Sequence, residues 1–266
     1  MPTFKQIIVL SALVFALIAG VAVYSVFKTP AASSGQIQAI PLAASATQVS
    51  TTAAQPTAAA PASDAATAST VAQPTTVATA SDAATASTSA VTLQMIQAES
   101  QARFIIDEVL NDAPKTVIGT TDQVAGEIAI NPQDPTQTRV GVIQVDARAL
   151  TTDSEFRNRA IKNQILETDQ YEYVTFTPTQ IVGLPQAGAI GTPYTFQIIG
   201  DLTIRNVTKQ VTFDVTATAA AARRIEGTAT TSIAYADYGI SIPQVRQVAS
   251  VADQVRLELD FVAEAA

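Results

Sequence analysis

The sequence predicts a mainly β fold: an eight-stranded antiparallel barrel with one inserted helix, preceded by a transmembrane helix and a disordered linker. Three observations predict it. Apolar and polar residues alternate with period two in segment after segment between Arg103 and Val262, the mark of half-buried strands. One stretch, after Thr152, switches to near-helical spacing. The first third of the 266 residues is different in kind, an uncharged apolar run followed by Ala/Thr/Ser/Pro-rich sequence. Strands that follow one another this closely favour an up-and-down or meander barrel, because closure removes exposed edges. A β-sandwich is the alternative, and the single helix fits it less naturally. A barrel of this size either fills itself with side chains or holds one small ligand.

The chain is taken in order from its amino terminus. Ile7 to Phe27 is a run of 21 residues without a charge. At about 1.5 Å per residue it spans a hydrocarbon core of about 30 Å. Lys5 and Lys28 flank it, and Tyr24 and Phe27 stand where interfacial aromatics are common. A cleaved signal peptide has an apolar region of about 7–15 residues ending in small residues. Residues 1–28 are therefore expected as an uncleaved signal anchor; cleavage near Thr29–Ser33, giving a secreted protein, is the other reading. Residues 29–92 are expected as a disordered linker. No Lys or Arg occurs between Lys28 and Arg103, and Ala62–Thr70 recurs identically at Ala80–Thr88. Proline and the Ser/Thr density oppose a helix, and too few large apolar residues are present to offset ordering entropy. Such a coil has an r.m.s. span of about 40–45 Å. A Ser/Thr/Pro stalk beyond an anchor is typical of the cell exterior. The expectation is a single-pass protein of the cell membrane whose carboxy-terminal domain lies outside the cytoplasm.

The folded domain is expected over residues 93–266. Leu93 to Gln101 reads as a short amphipathic helix, with Leu93, Ile96 and Ala98 on its apolar side. Arg103–Val109 is the first strand, and Asn111-Asp112-Ala113-Pro114 a turn. Thr116–Gly119 and Val124–Ile130 follow, with a bulge expected at Ala125-Gly126. Arg139–Ala147 is one strand. Thr152-Asp153-Ser154-Glu155 fits a capping box, and Phe156, Ala160, Ile161 and Ile165 continue at helical spacing for about three turns. Tyr173–Val182 returns to strand, and Leu184–Pro193 is a Gly/Pro/Ala loop. Tyr194–Arg205 and Thr208–Thr218 form a hairpin with Leu202, Ile204, Val211, Phe213 and Val215 on its apolar parity. Ile225–Tyr235 is a further strand, Asp237-Tyr238-Gly239-Ile240 a turn and Ser241–Ser250 a loop. Val251–Val262 closes the domain with Val255, Leu257, Leu259 and Phe261 on one parity.

Composition excludes several chemistries. There is no cysteine and no histidine, so there is no disulfide framework, no thiol chemistry and no Ser-His-Asp or Cys-His set. Net charge is −8, and from Arg103 onward 13 basic residues face 20 acidic ones. Nucleic acid, which needs a basic face, is not an expected partner. Asp146 and Asp153 flank one junction, but no motif recommends them as a catalytic pair, and capping and turn roles account for most of the acids. No enzyme activity, metal or cofactor is expected; an all-oxygen Ca²⁺ site is the one metal chemistry the composition leaves open.

Six motifs stand in order: Phe104-Ile105-Ile106-Asp107; Val145-Asp146-Ala147-Arg148-Ala149-Leu150-Thr151-Thr152-Asp153; Arg157-Asn158; Tyr171-Glu172-Tyr173-Val174-Thr175-Phe176; the hairpin Gly200 to Phe213; and Asp237-Tyr238-Gly239-Ile240. Over about Phe104–Val262 the chain resembles the YceI family, lipocalin-like polyisoprenoid-binding barrels exported by bacteria. It departs from the pattern at Asn206, which replaces a turn glycine that Asn's tolerance of positive φ can replace, and at Glu172, which replaces a proline. The early histidine of many members is absent, so no headgroup contact through it carries over. The resemblance implies an apolar cavity holding an isoprenoid chain, such as a quinone or polyprenyl tail, and no catalytic residues. The expected lining is Phe104, Ile106, Val174, Phe176, Phe196, Ile198, Leu202, Ile204, Val211 and Phe213, with Phe156, Ile161 and Ile165 of the helix near the mouth. Arg157 and Arg205 are expected as solvated surface charges, with contact to an anionic headgroup the other reading. Two functions compete. One is an extracytoplasmic protein that sequesters or carries an isoprenoid-type lipid. The other is a stalked surface domain with a filled core that binds a protein or cell-wall partner.

Overall fold

The computed structural model describes residues 28–42, 90–243 and 248–265. The expected span Ile7–Phe27 and most of the expected linker lie outside the described residues. Among the described residues no helix is long and apolar enough to cross a membrane.

The centre of the fold is a long antiparallel hairpin, β9 (Pro193–Ile204) and β10 (Val207–Ala221). Its register pairs Ile204 with Val207 and runs without a break to Pro193↔Thr218. The turn is Arg205-Asn206, and the positive φ falls on Arg205 (58°), not on Asn206. A positive φ on the first turn residue alone is the type II′ pattern, one of the two that match strand twist. Glu167 holds Arg205 there through an ion pair of 2.6 Å, with the Tyr171 ring 5.9 Å from the guanidinium. Outward from this hairpin, β8 (Tyr173–Val182) pairs with β9, and β11 (Arg224–Ala234) pairs with β10.

The sheet then curls. β7 (Ile143–Asp146) and β4 (Val124–Ala125) extend it on one side; β13 (Gln254–Glu264), β1 (Val91–Met95), β5 (Glu127–Ile130) and β6 (Arg139–Val140) extend it on the other. Only Gly126 separates β4 from β5 in the chain, so the ten-strand path comes back to the stretch from which it starts. A second hairpin, β2 (Gln101–Leu110) and β3 (Ala113–Thr121), hangs on β13, and β12 (Val248–Val251) pairs with β2. The buried core of this curl includes Leu93, Val124, Ile143, Phe176, Leu202, Val215 and Phe261.

The strand count is a correction: thirteen strands among the described residues rather than eight. The expected strand 124–130 breaks at Gly126 and the expected strand 139–147 at Gly141, and backbone hydrogen bonds from Met95 N to Gly126 O and from Gly141 N to Glu127 O bridge the breaks. The expected helix Leu93–Gln101 is instead β1 followed by a 3₁₀ turn, Gln97–Glu99, with Leu93 wholly buried. Five residues of alternating sequence have no strand identity alone; β5 on one side and β13 on the other impose it. The expected loop Ser241–Ser250 ends in β12.

The helix expected after Thr152 forms where the period changes. α1 (Glu155–Ala160) continues as a π-helical turn, Ile161–Ile165. Its N-cap is Ser154, whose hydroxyl accepts from Arg157 N at 3.4 Å, rather than Thr152. Thr152 instead donates its backbone N–H to the buried Asn158 Oδ1 at 2.7 Å, tying helix to junction. One difference concerns the expected linker. Residues 28–42 lie along the domain, with Ile37 buried and Leu42 N donating to Glu127 Oε2 at 3.0 Å.

Candidate ligand-binding cavity

Inside the curled sheet lies a cavity of about 550 Å³. Each strand contributes its inward parity, which is why the alternation in the sequence is so regular. Seven of the expected lining residues border it: Phe104, Val174, Phe176, Phe196, Ile198, Leu202 and Phe213. Phe176 and Phe213 meet edge to face, ring centroids 4.9 Å apart. These two rings touch each other, yet the space between the walls is not filled.

The space depends on glycines opposite aromatic rings. Phe104 pairs across strands with Gly119, Phe261 pairs with Gly227, and the Phe176 ring lies over Gly200. A Cβ on Gly200 would stand 2.6 Å from Phe176 Cζ, and one on Gly227 would stand 2.9 Å from Phe261 Cζ. Each glycine lets a ring lie down against the wall instead of standing into the lumen.

The other expected residues are placed elsewhere. Ile106, Ile161 and Ile204 are buried and Val211 and Ile165 half-buried, but none of them borders the cavity. Phe156 is 54% exposed. The helix does not sit near the mouth. Glu167, just past the π turn, reaches Arg205 at the β9–β10 turn, so the helix stands at that end of the strands. The cavity opens at the opposite end, where Leu184, Pro185, Ala189 and Ile190 border it together with Pro132, Pro135, Thr218 and Ala222. Ile190 is 63% exposed, so solvent reaches the cavity there. β9 alone separates the two ends by roughly 36 Å at ~3.3 Å per residue. Ile161 and Ile165 of the helix were expected near the mouth; Ile161 is instead buried and Ile165 packs against the main core.

Sequence reasoning missed part of the lining: Ile143, Val145, Val215, Leu257, Leu259 and Phe261. The last three share the parity read in the closing strand, so the signal was present. Polar side chains at the cavity are few. Asn131, Thr138, Tyr194 and Thr218 gather at the open end, with the Tyr194 hydroxyl accepting from Ala189 N at 3.0 Å. Arg103 and Glu258 also border the space, but they are bound to each other at 3.0 Å, and Arg103 also pairs with Asp260.

Several titratable groups elsewhere have structural partners. Asp146 is fully buried and accepts from Arg148 N at 2.7 Å. Asp153 accepts from Lys115 at 2.6 Å and also pairs with Arg157; the Lys115 hydrogen bond is the main reason its carboxyl lies below the ordinary range. Arg157 also binds Glu108 at 2.8 Å. Tyr238 is buried at the turn before Gly239, and burial, helped by Asp237, pushes its hydroxyl up to about 12. It therefore stays neutral at ordinary pH. Among the described residues no group of three acidic side chains is placed to hold a metal ion.

Comparison with known proteins gives a consistent result. The family model for the YceI-like domain matches residues 44–263. The crystal structure of Burkholderia cenocepacia BcnA is similar in fold, with a TM-score of 0.51 and 17% identity over 63% of this chain and 98% of that one. A polyisoprenoid binding domain from Saccharophagus degradans, implicated in plant cell wall breakdown, has a TM-score of 0.51 and 16% identity over 67% of this chain and all of the other. Among curated proteins, no sequence matches the chain.

Proposed function

The chain belongs to the YceI-like family, and on that premise we propose that its domain sequesters or carries an isoprenoid-type lipid, a quinone or polyprenyl chain, in its apolar cavity. The observation that carries this reading is the cavity itself: about 550 Å³ walled by Phe, Leu, Ile and Val, with its few polar groups outside the Arg103–Glu258 pair at the open end. That volume lies within the roughly 300–1,000 Å³ of small-molecule sites. An amphiphile with a long apolar tail fits this division, tail inward and headgroup at Asn131, Thr138 and Thr218. Burial at about 25 cal/mol per Å² drives it, against the cost of immobilising a flexible chain. The fold likeness to a solved polyisoprenoid binding domain supports the same ligand class. The uncharged run Ile7–Phe27 supports a single-pass membrane anchor with the domain outside the cytoplasm. No catalytic step is proposed, because the cavity-lining residues include no nucleophile paired with a base.

The test is direct. Lipid is extracted from the purified domain and identified by mass spectrometry, and delipidated protein is offered polyprenyl chains of graded length. The expected result is an isoprenoid-chain lipid bound close to one per domain. Protein that is repeatedly empty and takes up none of the series would sink the proposal and leave the surface-domain reading.

A further inference from the structure

Residues 28–42 follow directly on the proposed membrane span, and they are bound to the domain from their first residue. Lys28 pairs with Asp169, and its carbonyl accepts from Asn163 Nδ2 at 2.7 Å. Ala31 N donates to Asp169 Oδ1 at 2.8 Å, and Ser34 N to Glu172 Oε1 at 2.8 Å. Ser33 Oγ donates to Asp146. Farther along, the carbonyl of buried Ile37 accepts from Gln97 Nε2 at 2.6 Å. The first set of acceptors lies at the closed end: Asp169 and Glu172 connect the helix to β8, and Asp146 is paired with Tyr173, the first residue of β8.

We propose that residues 28–42 are a docked tether that holds the domain with its helix-closed end toward the anchoring bilayer and its mouth away from it. This rests on the anchor reading above. A free stalk beginning at residue 29 would allow excursions of about 40–45 Å, enough for either end to reach the bilayer. A chain that leaves the span at Phe27 and is held at Asp169 by Lys28 has no such slack. The mouth then stands roughly 36 Å of strand beyond the docking point. Residues 43–89 begin and end on the same domain, between Leu42 at Glu127 and Val91 at Ile130. Their length therefore does not set the height of the mouth. The consequence for function is that lipid is exchanged with a donor or acceptor facing the anchoring bilayer, not with that bilayer itself.

The chain has no cysteine, so single labels can be placed cleanly. Full-length protein carrying Gln170→Cys at the closed end or Ile190→Cys at the mouth is labelled with a fluorophore and reconstituted in vesicles containing spin-labelled lipid. Strong quenching at position 170 and little at 190 is expected. Releasing the tether with Asp169→Asn and Glu172→Gln together is expected to bring the two sites to similar quenching, while deletion of the second repeat, residues 80–88, leaves the difference intact. The domain's thermal melt serves as the control for folding. Protein that fails to float with the vesicles overturns the anchor and this proposal with it. Protein that floats but quenches equally at both sites, or keeps the difference after release, overturns the tether alone.

Discussion

At the scale of single residues, what separates a lumen from a filled core is a glycine opposite a ring. Gly119 is the clearest case, because the three atoms nearest a Cβ built there all belong to the Phe104 ring. Gly119→Ala is therefore expected to drive Phe104 into the cavity, with an overpacking cost of about 1–3 kcal/mol. Phe104→Ala in the same chain should recover much of it, because the two side chains then no longer collide. A double-mutant cycle by urea denaturation reads this coupling; additive losses would show that the ring and the glycine are independent. Ile190 is the opposite case, two-thirds exposed at the mouth and hardly part of the core. Ile190→Asp should leave stability within about 0.5 kcal/mol while lowering lipid uptake, measured by transfer from donor vesicles. The sequence made the inward parity legible, and seven of the residues read from it do line the space. It did not make Phe104↔Gly119 legible, since cross-strand partners are set by register over the whole sheet. Ile204 has the correct parity too, but it is the last residue of β9, at the closed end; Ile106, in the middle of β2, shares the parity of Phe104 and is buried away from the cavity.

At the scale of elements, the tight turns and the tether carry distinct predictions. The β2–β3 hairpin turns through Asn111 and Asp112, both at positive φ (50° and 63°). Two adjacent positive φ values are the type I′ pattern, which favours Asn-Gly. The left-handed region costs an L-residue about 1–2 kcal/mol, and glycine's greater chain entropy returns about 0.5–1 kcal/mol of that. Asp112→Gly should therefore stabilise the domain by up to about 1 kcal/mol in denaturant melts. The tether should be sensitive to acid. The hydrogen bond from Lys28, then that from Ala31 N, holds the Asp169 carboxyl below its ordinary 3.8. At Glu172 burial opposes ionisation, but the hydrogen bonds from Ser34 and the charge of Arg148 outweigh it and hold the carboxyl below 4.5. Both values are depressed by docking, so the docked state gains above the ordinary carboxylate range and loses as pH falls below it. The anisotropy of a label at Gln36→Cys should be flat at neutral pH and fall below about pH 4. Elements of ten residues or more, such as β2 and β8, were readable in the sequence nearly to their ends. β1 and β12, at five and four residues, were not, because only their neighbours make them strands. The contacts of residues 28–42 were not legible for the same reason: Ala/Ser-rich sequence has little burial of its own, and the acceptors that hold it, Asp146, Asp169 and Glu172, lie more than a hundred residues away.

At the scale of the whole molecule, the barrel is a wall with one end plugged by a helix, and its stability should depend on what it holds. An apolar void forfeits dispersion contacts along its lining, so empty protein is expected to be the less stable form. A ligand that binds only the folded state adds RT ln(1 + [L]/Kd), about 2.7 kcal/mol at a hundredfold excess over Kd. For a domain of this size that corresponds to a Tm rise of about 5–10 °C. The origin of the gain can be separated from a charge effect by salt. The walls are apolar, and Arg103 and Glu258, the charges beside the lumen, already neutralise each other. The domain is acidic overall, so an anionic headgroup would gain from screening rather than lose by it. Raising ionic strength from 0.1 to 1 M shortens the Debye length from about 10 to about 3 Å, yet should leave the Tm gain from a polyprenyl chain unchanged or slightly larger. A gain that collapses in high salt would place the binding energy in an ion pair at the rim, and the cavity walls would then be a packing feature rather than the recognition surface. A gain that survives salt but disappears with Leu202→Trp, which narrows the lumen where Phe176 and Leu202 pair across strands, would assign the energy to the depth of the cavity.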